Sequence, residues 1–485
     1  MARWRIARLI AILFILTIGM MLLSSCGCES DDDDDDSGDD DSGDDDDASE
    51  GLQVRVSALT DSGFKSYAHR NGLWVDETIS DGECTCFMYS RSHPDYALAM
   101  ETVGEYLEPT AIVHFDDGAW EREAIDGDFI YVGIPVFSEQ GLGLVIAGTE
   151  GPDEDELCHF ILSRENGIWS PETVPEISGD WDLIEGPLFD GGGAAFVIGE
   201  DYAAEQGFIL KRDQGEWTRE TLPEIGSEWW YSYNFKDRAY AAPDGSVWVR
   251  GYDADHNASF VLTSQAKGWA LEEFPEVSDN WAIEQLAFCP DGKVAAAVSE
   301  WDLDVGFLLV KDGQWTVEDL PEISGEWRFD EAYCGPDSVP WAIGYQDLGE
   351  DYDYFLMSKR TGSWALEDLP VEETPQRLDG LLFLEDGSPV LWGYTGPDID
   401  HAAGFVLMLE DGVWTGQGLS FIDQTYWAFM TFGPVDLIMD SQGELWGGVA
   451  CPELDQSYIV NYAGGTWHDG MPDTHDFMAW DLLTY

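Results

Sequence analysis

The sequence predicts an all-β chain folded as a single β-propeller of four-stranded blades, and three observations carry that expectation. First, a Trp follows a turn Gly by one or two residues at Trp74, Trp120, Trp169, Trp217, Trp269, Trp315, Trp364, Trp414 and Trp467, at intervals of 46, 49, 48, 52, 46, 49, 50 and 53 residues. A period that steady marks a repeat architecture. Second, each period holds four short runs of β-branched and aromatic residues separated by Gly, Asp and Pro, the signals of strands and hairpins. Third, no segment beyond the first 28 residues keeps a helical period. Four-stranded units of this length, repeated this often, form propellers.

Taken in order, the chain begins with a leader. Arg3, Arg5 and Arg8 precede an apolar run, Leu9–Leu23, which is short for a bilayer span and suits the core of a signal peptide. The run ends in Leu23-Ser24-Ser25-Cys26, which resembles the lipobox of bacterial lipoproteins. The resemblance implies a signal peptide over residues 1–25 and a lipidated Cys26 as the mature N-terminus. It also implies anchoring to a membrane of the cell envelope, with Gly27 pointing towards the outer membrane. Residues 29–50 hold 15 acids and no apolar residue but Ala48, so 26–50 reads as a disordered tether extended by its own charge.

Residues 51–485 carry the repeat. The period ending at Trp315 reads as strands over Ile283–Cys289, Lys293–Ser299, Gly306–Val310 and Gln314–Leu320. The chain enters the array with three strands, Leu52–Leu59, Phe64–His69 and Leu73–Ile79, and leaves it with one, Phe477–Tyr485. Joining the two ends completes a blade and closes the ring, giving nine blades; if the N-terminal segment is decoration, the number is eight. The phrases APDGSVWVR (Ala242–Arg250) and DSQGELWG (Asp440–Gly447) resemble two-component-regulator-type blades, and the turns before Trp217 and Trp315 are similar to shortened sialidase Asp-boxes. WD40-like propellers are similar in the same general way. These resemblances imply an architecture and not an activity.

The net charge is −75, from 22 Lys+Arg against 97 Asp+Glu. Removing the leader's three Arg and the tether's 15 acids leaves 19 basic and 82 acidic residues, or −63. Such a surface repels phosphate backbones, which argues against nucleic acid as a partner and favours cations, cationic partners or salty surroundings.

Loops between second and third strands share a face with loops linking one blade to the next, and two repeated features meet there. The linking loops carry Pro-Glu-Ile or Pro-Glu-Val followed by a Trp, giving the pairs Glu176/Trp181, Glu224/Trp229, Glu276/Trp281 and Glu322/Trp327. These read either as aromatic platforms with acids alongside, for a sugar or cationic ligand, or as wedges between blades. Strict repetition favours the wedge. The second feature is an acidic pair at Asp153/Asp155, Asp253/Asp255, Asp302/Asp304, Asp351/Asp353 and Asp398/Asp400. It reads either as a solvated loop or as a weak Ca²⁺ site, since Ca²⁺ takes six to eight oxygens and no third Asp and Gly follow in register.

No zinc spacing, nucleophile elbow, P-loop or dinucleotide fingerprint is present. Beyond Cys26 there are seven Cys, and Cys289 and Cys334 fall at similar places in adjacent innermost strands, which suits a structural staple. The expected function is a membrane-anchored, non-enzymatic binding or scaffold module with a protein or glycan ligand. The alternative is an exported carbohydrate-active enzyme, a glycoside hydrolase or lyase, with its site at the channel mouth.

Overall fold

A computed structural model of the chain describes residues 52–484, apart from the stretches 80–84, 126–130, 151–156, 232–237, 397–402, 420–427, 430–436, 452–455 and 471–476 and shorter gaps at turns. The leader, Cys26, the tether, Asp153, Asp155, Asp351, Asp398 and Asp400 lie outside the described residues.

The chain is all-β, and antiparallel four-stranded sheets follow one another along it as propeller blades. Blade 1 joins Phe477–Thr484 to Leu52–Thr60, Gly63–Arg70 and Leu73–Ile79. Blade 2 runs from Thr85–Tyr89 to Ala119–Arg122, blade 3 from Tyr131–Val132 to Ile168–Pro171, and blade 4 from Trp181–Phe189 to Glu216–Arg219. Blade 5 runs from Trp229–Trp230 to Gly268–Leu271, blade 6 from Trp281–Phe288 to Gln314–Val317, and blade 7 from Trp327–Cys334 to Ala365–Leu366. Blade 8 runs from Arg377–Phe383 to Val413–Gln417, and blade 9 from Ala428–Phe429 to Thr466–Asp469. Nine such units stand among the described residues, so the N-terminal strands belong to a blade and are not decoration.

The two ends of the chain pair as the strand count requires. Leu52–Thr60 runs antiparallel to Phe477–Thr484, from Val54 opposite Thr484 to Thr60 opposite Phe477. Blade 1 touches blade 2 through the parallel pairs Thr78/Ala119 and Ile79/Trp120, and blade 9 through Trp74, whose Nε1–H donates to the Gly470 carbonyl. Blade 1 therefore has a neighbour on each side.

The core lies between blades. The cluster of Phe196, Ile198 and Ile209 from blade 4 with Trp229, Tyr231 and Val249 from blade 5 is typical. Blades 4, 5 and 6 each hand the sheet to the next blade through a repeated stitch. Glu205, Asn257 and Asp304 adopt positive φ in the turn between second and third strands. Their carbonyls accept the backbone N–H of the next blade's first Trp: Trp229 (3.1 Å), Trp281 (3.2 Å) and Trp327 (2.9 Å). Space for the incoming ring is made by Gly207 and Gly306. A Cβ at Gly207 would stand 2.6 Å from the Trp229 ring, and one at Gly306 would stand 2.8 Å from the Trp327 ring. The Gly207-Phe208 and Gly306-Phe307 pairs in these third strands are thus dictated by the following blade.

A second stitch uses the marker Trp. A Glu three residues after one blade's Trp accepts the indole N–H of the next blade's Trp. The pairs are Glu77–Trp120 (2.9 Å), Glu123–Trp169 (2.5 Å), Glu172–Trp217 (2.5 Å), Glu220–Trp269 (3.2 Å), Glu272–Trp315 (2.9 Å), Glu318–Trp364 (2.9 Å) and Glu367–Trp414 (3.0 Å). At four of these junctions the residue opposite the Trp is basic and binds the same carboxylate: Arg164, Arg212, Lys311 and Lys359. The series stops at blade 9. Gln417 replaces the Glu, and the buried Trp467 Nε1 has no hydrogen-bond partner among the described residues.

Candidate functional site

The structure separates the repeated residues from the places where the repeat is broken. Trp229, Trp281 and Trp327 are 5%, 5% and 8% exposed and pack against Tyr231 and Phe260, Phe274 and Phe307, and Phe329 and Phe355 respectively. Trp181 is half-buried against His159 and Phe208. Trp229, Trp281 and Trp327 are thus packed between blades, while Trp181 keeps part of its surface open. Glu176, Glu224, Glu276 and Glu322 stand exposed on the linking loops.

The acidic pairs are likewise spent on the fold. Asp253 Oδ1 accepts the backbone N–H groups of Asp255 (3.0 Å) and His256 (3.3 Å), and its Oδ2 lies 2.7 Å from His256 Nδ1. Asp255 crosses to the linking loop, accepting the Ser227 hydroxyl at 2.8 Å and the Glu228 N–H at 3.3 Å. Asp302 accepts the Asn280 amide at 2.8 Å, Asp304 pairs with Arg328, and Asp353 lies inside the strand Tyr352–Ser358. Among the described residues no three His, Cys, Asp or Glu side chains converge on a metal position. The carboxylates of Asp253, Asp255, Asp302 and Asp304 lock loops to one another or to a side chain.

Symmetry breaks on the first strands of blades 6 to 8. In blades 4, 6, 7 and 8 the pairing of first with second strand skips one residue at a matching place, a β-bulge that re-aims a side chain, and blade 4 skips Gly186 and Pro187 as well. The skipped residue is Ile184 in blade 4 but Glu284, Asp330 and Asp379 in blades 6, 7 and 8. Donors from neighbouring positions hold these bulges. Arg238 Nη1 donates to Ile184 O at 3.0 Å. Arg250, 1% exposed, donates to the carbonyls of Ile283 (2.6 Å) and Glu284. The Ala332 N–H donates to Gln285 Oε1 at 2.9 Å. Two residues before each of the latter two acids stands an Arg, Arg328 and Arg377, with Tyr345 and Tyr394 opposite them on the second strands. Arg377 lies 2.9 Å from Asp379.

Burial dominates the electrostatics of this sector. It pushes the Glu284 carboxyl up to about 7, against the hydrogen bond from Ser299 and the charge of Arg250, while Asp330 adds to the rise. Burial likewise raises the Tyr345, Tyr354 and Tyr394 phenols. For a carboxyl raised in the fold, stability is fullest below the ordinary carboxylate value and declines as pH climbs towards about 7. Glu284→Gln is therefore expected to stabilise the protein at pH 8 by roughly 2–3 kcal/mol and to change little at pH 4. Equal effects in melts at the two pH values would contradict the assignment.

Open aromatic surface sits above this sector. Trp301, 40% exposed, stacks on Tyr252 at 5.7 Å and 26°. In the next blade Tyr352, 45% exposed, meets Tyr345 edge-on at 5.2 Å. Sequence reasoning passed over Trp301 because it lies in a turn that carries no repeat, and over Tyr252 and Tyr352 because they stand at strand ends beside such turns; their sequence signal was departure from the repeat.

No protein-family model matches the chain, and no curated protein matches it. Similar solved structures are β-propeller-like proteins. Virginiamycin B lyase from Staphylococcus aureus is 13% identical over 64% of this chain and 89% of the lyase, with a TM-score of 0.33. YCF48 from Cyanidioschyzon merolae is 15% identical over 63% of this chain and 91% of its own, with a TM-score of 0.34. Dipeptidyl peptidase 4 from Porphyromonas gingivalis is 14% identical over 79% of this chain and 52% of the peptidase, about half its length, with a TM-score of 0.39. At these values the likenesses say nothing of activity.

Proposed function

We propose that this chain is a lipid-anchored envelope protein whose propeller is a non-enzymatic binding module, with its binding sector on the linking-loop face of blades 5 to 8. The observation that carries the binding reading is the loss of repeat symmetry there. Glu284, Asp330 and Asp379 occupy the skipped position that Ile184 takes in blade 4, and Arg328 and Arg377 stand where blade 4 has Asp182. Repeats conserve what the fold needs, and a ligand site departs from them.

Anchoring rests on the leader and tether. A Cys26 thioether to a diacylglycerol, supplemented by further acyl chains, holds a protein firmly at a bilayer, which a single chain does not. Metabolic labelling with a palmitate analogue is the test. Label on the wild-type chain that vanishes in Cys26→Ser supports the anchor; equal labelling of both chains, or of neither, rejects it.

The alternative, a carbohydrate-active enzyme, draws on one specific observation. Glu284 is a partly buried acid with its carboxyl pushed up to about 7, and Asp330 acts on it from the next blade. Two carboxyls with environments that differ can serve glycosidic chemistry. Turnover of glycan substrates that is lost in Glu284→Gln would favour the enzyme; no turnover across a broad glycan panel favours the binding module.

A further inference from the structure

We infer that the ligand of this sector is cationic: a Lys- or Arg-rich segment of a partner protein that docks on the Tyr252–Trp301 stack. The inference rests on the binding reading above and names its ligand class.

Trp301 is the most exposed Trp among the described residues, at 40%. Its backbone N–H donates to Asn280 O at 3.0 Å, so the turn that bears it is tied to the linking loop. The ring lies nearly parallel to Tyr252, which fixes its orientation before any ligand arrives. An exposed indole face held in this way attracts an ammonium or guanidinium through its quadrupole.

Carboxylates border the stack. Asp302 follows Trp301 directly and is exposed, and Asp253 follows Tyr252. Burial and then the charges of Asp253 and Asp302 hold the Tyr252 phenol above its ordinary value, which places both carboxylates near the ring. Nearby bases face partners already: His256 is held by Asp253, and Arg328 by Asp304. A stack bordered by acids, on a domain of −63, favours a cation over a neutral sugar. Exposed Tyr352 in the next blade offers a second aromatic contact, so a segment with several cationic side chains gains from both.

The test measures fluorescence anisotropy of a labelled Arg/Lys-rich oligopeptide on the full chain in mild detergent. A Glu-rich peptide and a neutral oligosaccharide serve as comparison probes. Trp301→Ala and Asp302→Asn are set beside Asp312→Asn, a substitution on the opposite face at a side chain 79% exposed. The expected result is binding of the cationic peptide alone, weakened about tenfold by Trp301→Ala, reduced by Asp302→Asn and unchanged by Asp312→Asn. Equal losses in Asp302→Asn and Asp312→Asn, with none in Trp301→Ala, would mean general attraction to a polyanion and overturn the inference. Binding of the oligosaccharide instead, sensitive to Trp301, overturns the cationic ligand while leaving the binding sector in place. Binding of any of these probes that no sector variant disturbs overturns both, as does failure of all three to bind.

Discussion

Glu172→Ala is expected to cost the protein about 3 kcal/mol. Glu172 accepts both ends of the Arg212 guanidinium at 2.8 Å, together with the Trp217 N–H. The two charged side chains are 17% and 11% exposed, so water replaces little of what is lost. Removing one member of a buried pair typically costs about 3–5 kcal/mol, because the other is left uncompensated; residual exposure here brings the figure to the lower end. The pH dependence follows from the same contacts. Burial raises the Glu172 carboxyl, but hydrogen bonds from Arg212, Ser163 and Trp217 outweigh it, and the folded pKa lies below the ordinary value. The contribution is therefore complete above the ordinary carboxylate value and disappears as pH falls through the lowered one. Denaturant titrations of wild type and Glu172→Ala at pH 7 and pH 3 check both statements. A loss under 1 kcal/mol at pH 7, or a loss that grows towards pH 3, contradicts the stitch as described.

Loss of the Cys289–Cys334 disulfide should be comparably costly. The bond joins the first strand of blade 7 to the turn that follows the first strand of blade 6, across a sequence separation of 45 residues. In the chain-entropy account a loop of that length contributes about 4 kcal/mol, and strain and residual structure usually reduce it to roughly 2–4 kcal/mol. Cys289→Ser with Cys334→Ser is expected to lower the melting temperature in oxidising buffer and to reduce the wild type's sensitivity to reductant. Identical melts for wild type and the double variant without reductant would show that the staple carries no stability. Cys158 is a free thiol, so reductant acts among these three cysteines on the staple alone.

Much of the scaffold was legible in the sequence because it rests on local signals. Turn residues and β-branched runs placed Leu73–Ile79 at the bounds that the structure has, and leftover strands at the two ends foretold that the first and last strands of the chain pair. The stitches were harder to read. Glu77, Glu123, Glu172, Glu220, Glu272, Glu318 and Glu367 each lie three residues after a marker Trp, yet each bonds the Trp of the following period. Such a contact joins residues over 40 positions apart and leaves no mark on local periodicity. Glu284, Asp330 and Asp379 were hidden for another reason. A bulge adds a residue to the strand and shifts its alternation, so an acid aimed by the bulge looks like any other among 97. The regular Trp drew attention by repeating, and repetition marked them as packing.

Function set at the irregular positions and stability at the repeated ones is the central claim, and one paired measurement tests it. Melting temperature and anisotropy binding of the Arg/Lys-rich peptide are read on Glu172→Ala and on Trp301→Ala. Glu172→Ala is predicted to melt lower and bind as the wild type does below its melting point; Trp301→Ala is predicted to melt as the wild type does and to bind about tenfold more weakly. The opposite assignment, with binding lost at the blade junction and stability lost at Trp301, would contradict the account.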